Sequence, residues 1–122
     1  MIRRISKWLL VLFFVLAGLN HFHDPEFYYP LIPDYLPYEF LINVMAGILE
    51  IVLGIGLAIP RFRKVSSYAL LILLILFVPS HVHFIQMGGC VSDGLCVAPW
   101  IAWVRLLVVH PMLILWIWYH RR

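Results

Sequence analysis

Residues 39–60 read EFLINVMAGILEIVLGIGLAIP. After Glu39 a single charge, Glu50, interrupts an apolar run of roughly the 20 residues that a helix needs to cross a bilayer core about 30 Å thick. An ionisable side chain at that depth is costly unless it is paired, so it marks a candidate functional site. Asn43, Gly47, Glu50 and Gly54 recur at spacings of four, three and four. That spacing places them on one stripe of a helix. Small residues on such a stripe let a neighbouring backbone come close, which is how membrane helices pack. Glu50 is therefore expected to face protein, about 16 Å from the outer end of its helix at the helical rise.

Working outward, three more apolar stretches appear, at about 5–22, 65–87 and 98–119. The sequence is 64% apolar and 12% charged, which excludes an ordinary soluble domain. The expected fold is an all-α membrane protein. One domain, residues 1–122, would form an antiparallel bundle of four transmembrane helices at about 5–22, 39–60, 65–87 and 98–119. Outer loops would cover 23–38 and 88–97, with an inner loop at 61–64.

The charges set an expected orientation. Arg3, Arg4 and Lys7 precede the first stretch, Arg61, Arg63 and Lys64 follow the second, and Arg121 and Arg122 close the chain. The loops at 23–38 and 88–97 contain no Lys or Arg. The positive-inside rule then places both termini in the cytoplasm, and an even number of crossings agrees. The net charge of +3 is accounted for by topology and implies no nucleic-acid partner. Trp8, Tyr68, Trp116, Trp118 and Tyr119 read as an inner aromatic belt; Tyr35, Tyr38, Phe40, Trp100 and Trp103 read as an outer one. Leu19 to His23 offers no small-x-small cleavage site, so the first stretch reads as a retained helix.

Arg105 is the other charge inside a stretch, about 10 Å below the outer end of its helix. An ion pair with Glu50 is the simplest account of both residues, either architectural or lining a site; a neutral Glu50 is the third option. Asn20, His21, His23, Asn43, His81, His83, Gln86 and Arg105 all fall in the outer half, which suggests a cup opening outward. The loop at 23–38 holds Pro25, Pro30, Pro33 and Pro37 among aromatic residues. It reads as a turn of helix and an extended stretch, either an interfacial anchor or a lid. Pro79 and Pro111 predict kinks.

Cys90 and Cys96 share one outer loop at C-x5-C spacing, which permits a disulfide staple and is not the C-x-x-C of dithiol oxidoreductases. His21, His23, His81 and His83 are the candidate metal ligands or haem axial ligands, although i and i+2 on a helix point apart. No nucleophile elbow and no phosphate loop is present.

Several motifs resemble the DoxX-like family of small membrane proteins and, distantly, NACHO. They are Ala17-Gly18-Leu19-Asn20-His21-Phe22, Pro25-Glu26-Phe27-Tyr28, Ile32-Pro33-Asp34-Tyr35-Leu36-Pro37, Ala46 to Gly54 with Ile59-Pro60-Arg61, Phe77-Val78-Pro79, and Pro99 to Leu106. The resemblance covers nearly the whole chain. It implies a four-helix protein of a bacterial-type inner membrane, with Glu50 and Arg105 on motif positions and His21 closing the first motif. Ser80-His81 departs from the Ala-Asn the family often has there, and the cysteine loop is particular to this chain. The family takes its name from a subunit associated with thiosulfate:quinone oxidoreductase.

These readings favour a non-enzymatic membrane protein. Its outward-facing pocket would be anchored by Glu50 and Arg105 and supported by His21, Asn43 and His81. It would bind a small apolar molecule with a polar head, a lipid or quinone headgroup, or a membrane-protein partner. The alternatives are a component of a quinone-linked thiol or sulfur oxidoreductase using Cys90 and Cys96, and a His-based metal- or haem-binding protein.

Overall fold

Proline at the first helical position costs nothing, because that amide has no intrahelical partner. Pro25, Pro60 and Pro99 each open a helix in this way. The computed structural model describes every residue, Met1–Arg122. Its elements are α1 (Ile2–His23), α2 (Pro25–Tyr28), a 3₁₀ turn (Tyr29–Leu31), α3 (Glu39–Ala58), α4 (Pro60–Leu76), α5 (Val78–Gln86), α6 (Pro99–Val104), a π-helical turn (Arg105–Val109) and α7 (His110–His120). Four helical units are long and apolar enough to cross a membrane: Ile2–His23, Glu39–Ala58, Pro60–Gln86 and Pro99–His120.

The expected inner loop at 61–64 is corrected. Arg61, Phe62, Arg63 and Lys64 form the first turn of α4, because Pro60 starts the helix directly after Ile59. The third unit breaks at Phe77, two residues before Pro79, where the ring denies α5 a donor. In the fourth, Pro111 cannot donate to the residue four before it. The turn ahead of it widens, and the His110 amide bonds to the Arg105 carbonyl five residues back.

Consecutive units run in opposite directions. Gly18 of α1 lies against Gly47 of α3, and Phe14 against Gly54. Gly56 of α3 meets Ser66 of α4. Leu74 of α4 meets His110 at the start of α7, and Tyr68 meets Trp118. Ser6 of α1 contacts Trp116 and His120 of α7, which closes the bundle at the end that carries the termini. The larger core lies toward that end and joins Leu10, Phe14, Leu57, Leu70, Leu73, Leu74 and Ile117. A smaller one under the loops joins Leu31, Phe84, Val91 and Ala102.

The distribution of polarity is inverted relative to a water-soluble bundle. Asn43, Glu50, His21, Ser66, Ser67, His110 and His120 are buried. Leu9, Leu12, Leu16, Met45, Ile48, Val52, Ile72, Ile75, Leu107 and Leu115 are exposed. That continuous apolar exterior is stable only against lipid, so this is a multi-pass membrane protein.

The α1–α3 contact is close at both of its facing glycines. A Cβ at Gly18 would stand 2.7 Å from the Gly47 carbonyl oxygen, and one at Gly47 would stand 2.7 Å from Phe22 Cε2 and 2.9 Å from His21 Cβ. Replacing Gly47 with Ile is expected to destabilise the protein by about 1–3 kcal/mol through overpacking. Unfolding in mixed detergent micelles reads the change, and Val52→Ile, on the lipid-facing side of α3, should leave the midpoint where it was.

Candidate functional site

The stripe read from residues 39–60 faces α1. Asn43, Gly47, Glu50 and Gly54 are all buried. Because Gly18 and Gly47 let the backbones approach, the last turn of α1 brings His21 opposite Asn43. His21 Nδ1 lies 2.7 Å from Asn43 Oδ1, and Asn43 Nδ2 donates to the His21 carbonyl at 2.9 Å. Since the Asn43 amine donates, its oxygen must accept, and Nδ1 therefore carries a proton.

His21 Nε2 stands 3.4 Å from Glu50 Oε2. The separation is an ion-pair distance, and Oε2 makes no well-formed hydrogen bond. With Nδ1 already protonated, an imidazole lone pair and a carboxylate lone pair would face each other and repel. The contact is attractive when one proton sits between them, on the ring or on the acid. Asn43, His21 and Glu50 form one buried unit.

Tyr28 closes this unit from the loop. Its ring stacks on His21, with centroids 3.8 Å apart and planes at 17°. Asn20 Nδ2 donates to its hydroxyl at 2.8 Å. α2 and the 3₁₀ turn place it there, and the chain beyond is anchored by buried Leu31, Ile32 and Pro33. Burial pushes the Tyr28 hydroxyl above its ordinary range. The Asn20 hydrogen bond lowers it, the Glu50 and Asp24 charges raise it, and the Arg105 charge lowers it. Tyr28 thus remains a neutral donor at physiological pH.

The expected Glu50–Arg105 ion pair is not formed: Glu50 takes His21 as its partner instead. The physical reason is position. His21 is on the helix that packs directly against the stripe, whereas Arg105 starts the π-helical turn of the fourth span. The Arg105 guanidinium lies over the Phe84 ring, 4.8 Å from its centroid. Its Nη1 is buried and has no hydrogen-bond partner. Phe84 is buried and offers the negative face of its ring.

His81 does not join His21. Its ring lies edge-on to His110 at 4.8 Å. His110 donates from Nε2 to the Leu74 carbonyl at 2.6 Å, in the turn before the helix break. His23 is exposed at the end of α1, and His83 is half-buried on α5. No group of three or more His, Cys, Asp or Glu side chains comes together, so His21, His23, His81 and His83 form no metal-binding set. Cys90 and Cys96 are disulfide-bonded. They close a tight turn in which the Val91 amide donates to the Leu95 carbonyl at 2.8 Å. Gly88 and Gly89 enter that turn at positive φ, 74° and 76°, where a side chain would be strained.

A family model described as a domain of unknown function (DUF8561) matches residues 10–121. The chain belongs to this DUF8561 family. The match takes in His21, Tyr28, Asn43, Glu50, Phe84 and Arg105. No curated protein and no solved structure matches the chain significantly.

Three partners were not singled out in the sequence: Tyr28 on His21, Phe84 under Arg105, and the Leu74 carbonyl for His110. For Tyr28 a signal exists, since Pro25 opens a single turn that returns the chain over the end of α1. Removing His21 by His21→Leu leaves Glu50 unpartnered and is expected to cost about 3 kcal/mol. A double-mutant cycle with Glu50→Leu should give a coupling of about 1–3 kcal/mol. Strictly additive losses in detergent unfolding would show that the two do not act as a pair.

Proposed function

We propose that this is a non-enzymatic, ligand-binding protein of a bacterial-type inner membrane, with both termini in the cytoplasm. In its outer half it holds a lipophilic small molecule whose head carries an electron-rich oxygen, as a quinone or a lipid headgroup does. What supports the reading is Arg105, a part-buried cation with no carboxylate partner and an unpaired Nη1. Glu50 is taken up by His21, so it does not serve as the counter-charge. The cation is left for an oxygen acceptor from outside the chain, and the Tyr28 hydroxyl lies within electrostatic range of it. The pocket anchors are thus Arg105 and Tyr28, with His21, Asn43 and Glu50 as the wall and His81 farther along the fourth-span side. The DoxX-like motifs agree with such a membrane protein, and a partner's membrane segment remains an alternative occupant.

Two observations support the orientation. Eight of the nine Lys and Arg lie at the end with the termini, and the disulfide-bonded loop lies at the other end. A fluorescent protein fused after Arg122 should therefore fluoresce in cells, whereas an alkaline phosphatase fusion at the same point should stay inactive.

A second reading rests on the exposure of Cys90 and Cys96. An exposed pair could pass two electrons and two protons to a quinone as the thiols close to a disulfide. Alkylation and intact-mass measurement from cells separate the two readings: a bond that stays fully oxidised under reductive challenge of the culture belongs to a structural staple.

The ligand-binding proposal is tested with Arg105→Met. Because Arg105 neutralises nothing inside the chain, the variant should fold as well as the parent. Native mass spectrometry from membranes should show the co-purifying molecule lost, or retained at least about tenfold less, as fits one charge-assisted hydrogen bond of about 1.5–3 kcal/mol. Equal retention by parent and variant would remove the basis of the proposal.

A further inference from the structure

Opposite the outer site, the end that carries the termini has a different character. Arg3, Arg4, Lys7, Arg61, Arg63, Lys64, Arg121 and Arg122 gather there. The acids Asp24, Glu26, Asp34, Glu39 and Asp93 lie in or beside the loops at the other end, and Glu50 is held by His21. No Asp or Glu side chain lies among the cations of the basic end. Within it, an open groove of about 480 Å³ lies between the start of α4 and the end of α7. Arg63, Lys64, Arg121 and Arg122 line it, with Tyr68 and Trp118.

The groove is ordered by contacts that leave its charges free. Arg63 donates from Nε to the Leu57 carbonyl at 3.0 Å. That bond fixes the guanidinium and leaves both terminal nitrogens without a protein partner. Arg121 lies on the Trp118 ring, 3.7 Å from its centroid, and donates from Nη1 to the Trp118 carbonyl at 2.7 Å. Tyr68 meets Trp118 edge-on, with centroids 6.3 Å apart. Tyr and Trp prefer the headgroup level of a bilayer, where one end is apolar and the other wet. α4 also begins with no side-chain cap, so its first amides add positive potential at the mouth.

We propose that this groove is a binding site for the phosphate headgroup of an anionic phospholipid. Planar guanidinium forks suit a phosphate, Lys64 supplies a further point charge, and the aromatic pair sits where the glycerol backbone would lie. A basic cleft between membrane helices on the positively charged side is the recurring form of such sites. The site is separate from the outer polar unit, and neither requires the other.

The test uses the full-length protein, delipidated in mild detergent and titrated with phosphatidylglycerol or phosphatidylcholine under native mass spectrometry. One phosphatidylglycerol should be retained in preference to phosphatidylcholine. The triple change Lys64→Gln, Arg121→Gln, Arg122→Gln should weaken that binding at least about tenfold. Arg63 is kept, because it also holds the Leu57 carbonyl. A control triple, Arg3→Gln, Arg4→Gln, Arg61→Gln, removes the same charge from the same end and should change binding less than about twofold. Equal losses in the two triples would overturn the groove in favour of diffuse surface charge. Displacement of the lipid by excess inorganic phosphate would overturn it in favour of a soluble-anion site. The exposed single reversal Lys64→Glu reads the same affinity with little risk to folding, and undiminished binding there also counts against the proposal.

Discussion

Hydrocarbon outside the bundle fixes the terms on which everything inside is held. Lipid tails are as apolar as Leu, so burying Leu against Leu contributes little to bringing these helices together. Close backbone packing and internal hydrogen bonds must do it. The α1–α3 seam uses both in one place: Gly18 and Gly47 set the approach, and the approach is what puts His21 within reach of Asn43. Asn43 then returns a bond to the His21 carbonyl at the end of α1, an acceptor that would otherwise lack a helical partner. The loop inherits its position from the same seam, since Tyr28 stacks on the ring that Asn43 orients.

The two ends of the bundle handle charge by opposite means. In the half away from the termini the acid is paired with an imidazole, which needs no long side chain and little room. Arg105 is left to an aromatic face. At the basic end there is no Asp or Glu, and the cations are spread over aromatic rings, as Arg3 is on Tyr119 and Arg121 on Trp118. Ser6, Trp116 and His120 form a small neutral network beneath them. Each arrangement leaves positive charge unspent, one inside the membrane and one at its surface, and the two proposals on ligands follow from that surplus.

Much of this was legible in the sequence because the signals were periodic. Spacings of four, three and four identified the buried face of α3, and the four apolar stretches identified the spans. The interruptions at Pro79 and Pro111 were legible for the same local reason, a missing donor. What was not legible depended on which helices become neighbours. Glu50 and Arg105 were the two charges in apolar runs, and charge alone suggested that they pair. The choice of His21 instead follows from the α1–α3 seam, a tertiary contact that composition does not reveal. The boundary near 61–64 was missed because clustered basic residues look like a loop, whereas a proline followed by good helix formers is a helix start.

The fourth span shows how a local defect sets the environment of Arg105. Arg105 and His110 are five residues apart, which on an α-helix would turn them about 140° from one another and send one toward lipid. The turn between them is π-helical, and the His110 amide bonds to the Arg105 carbonyl. That bond stacks the two residues on nearly the same face. Both can then reach the interior, Arg105 over Phe84 and His110 to the Leu74 carbonyl. Pro111 makes the wider turn the cheaper one, since it has no amide to complete an α-helical bond. The residue that looks like a helix breaker is therefore part of what turns the unpaired cation inward, and part of why the fourth span can carry both a structural histidine and a free arginine.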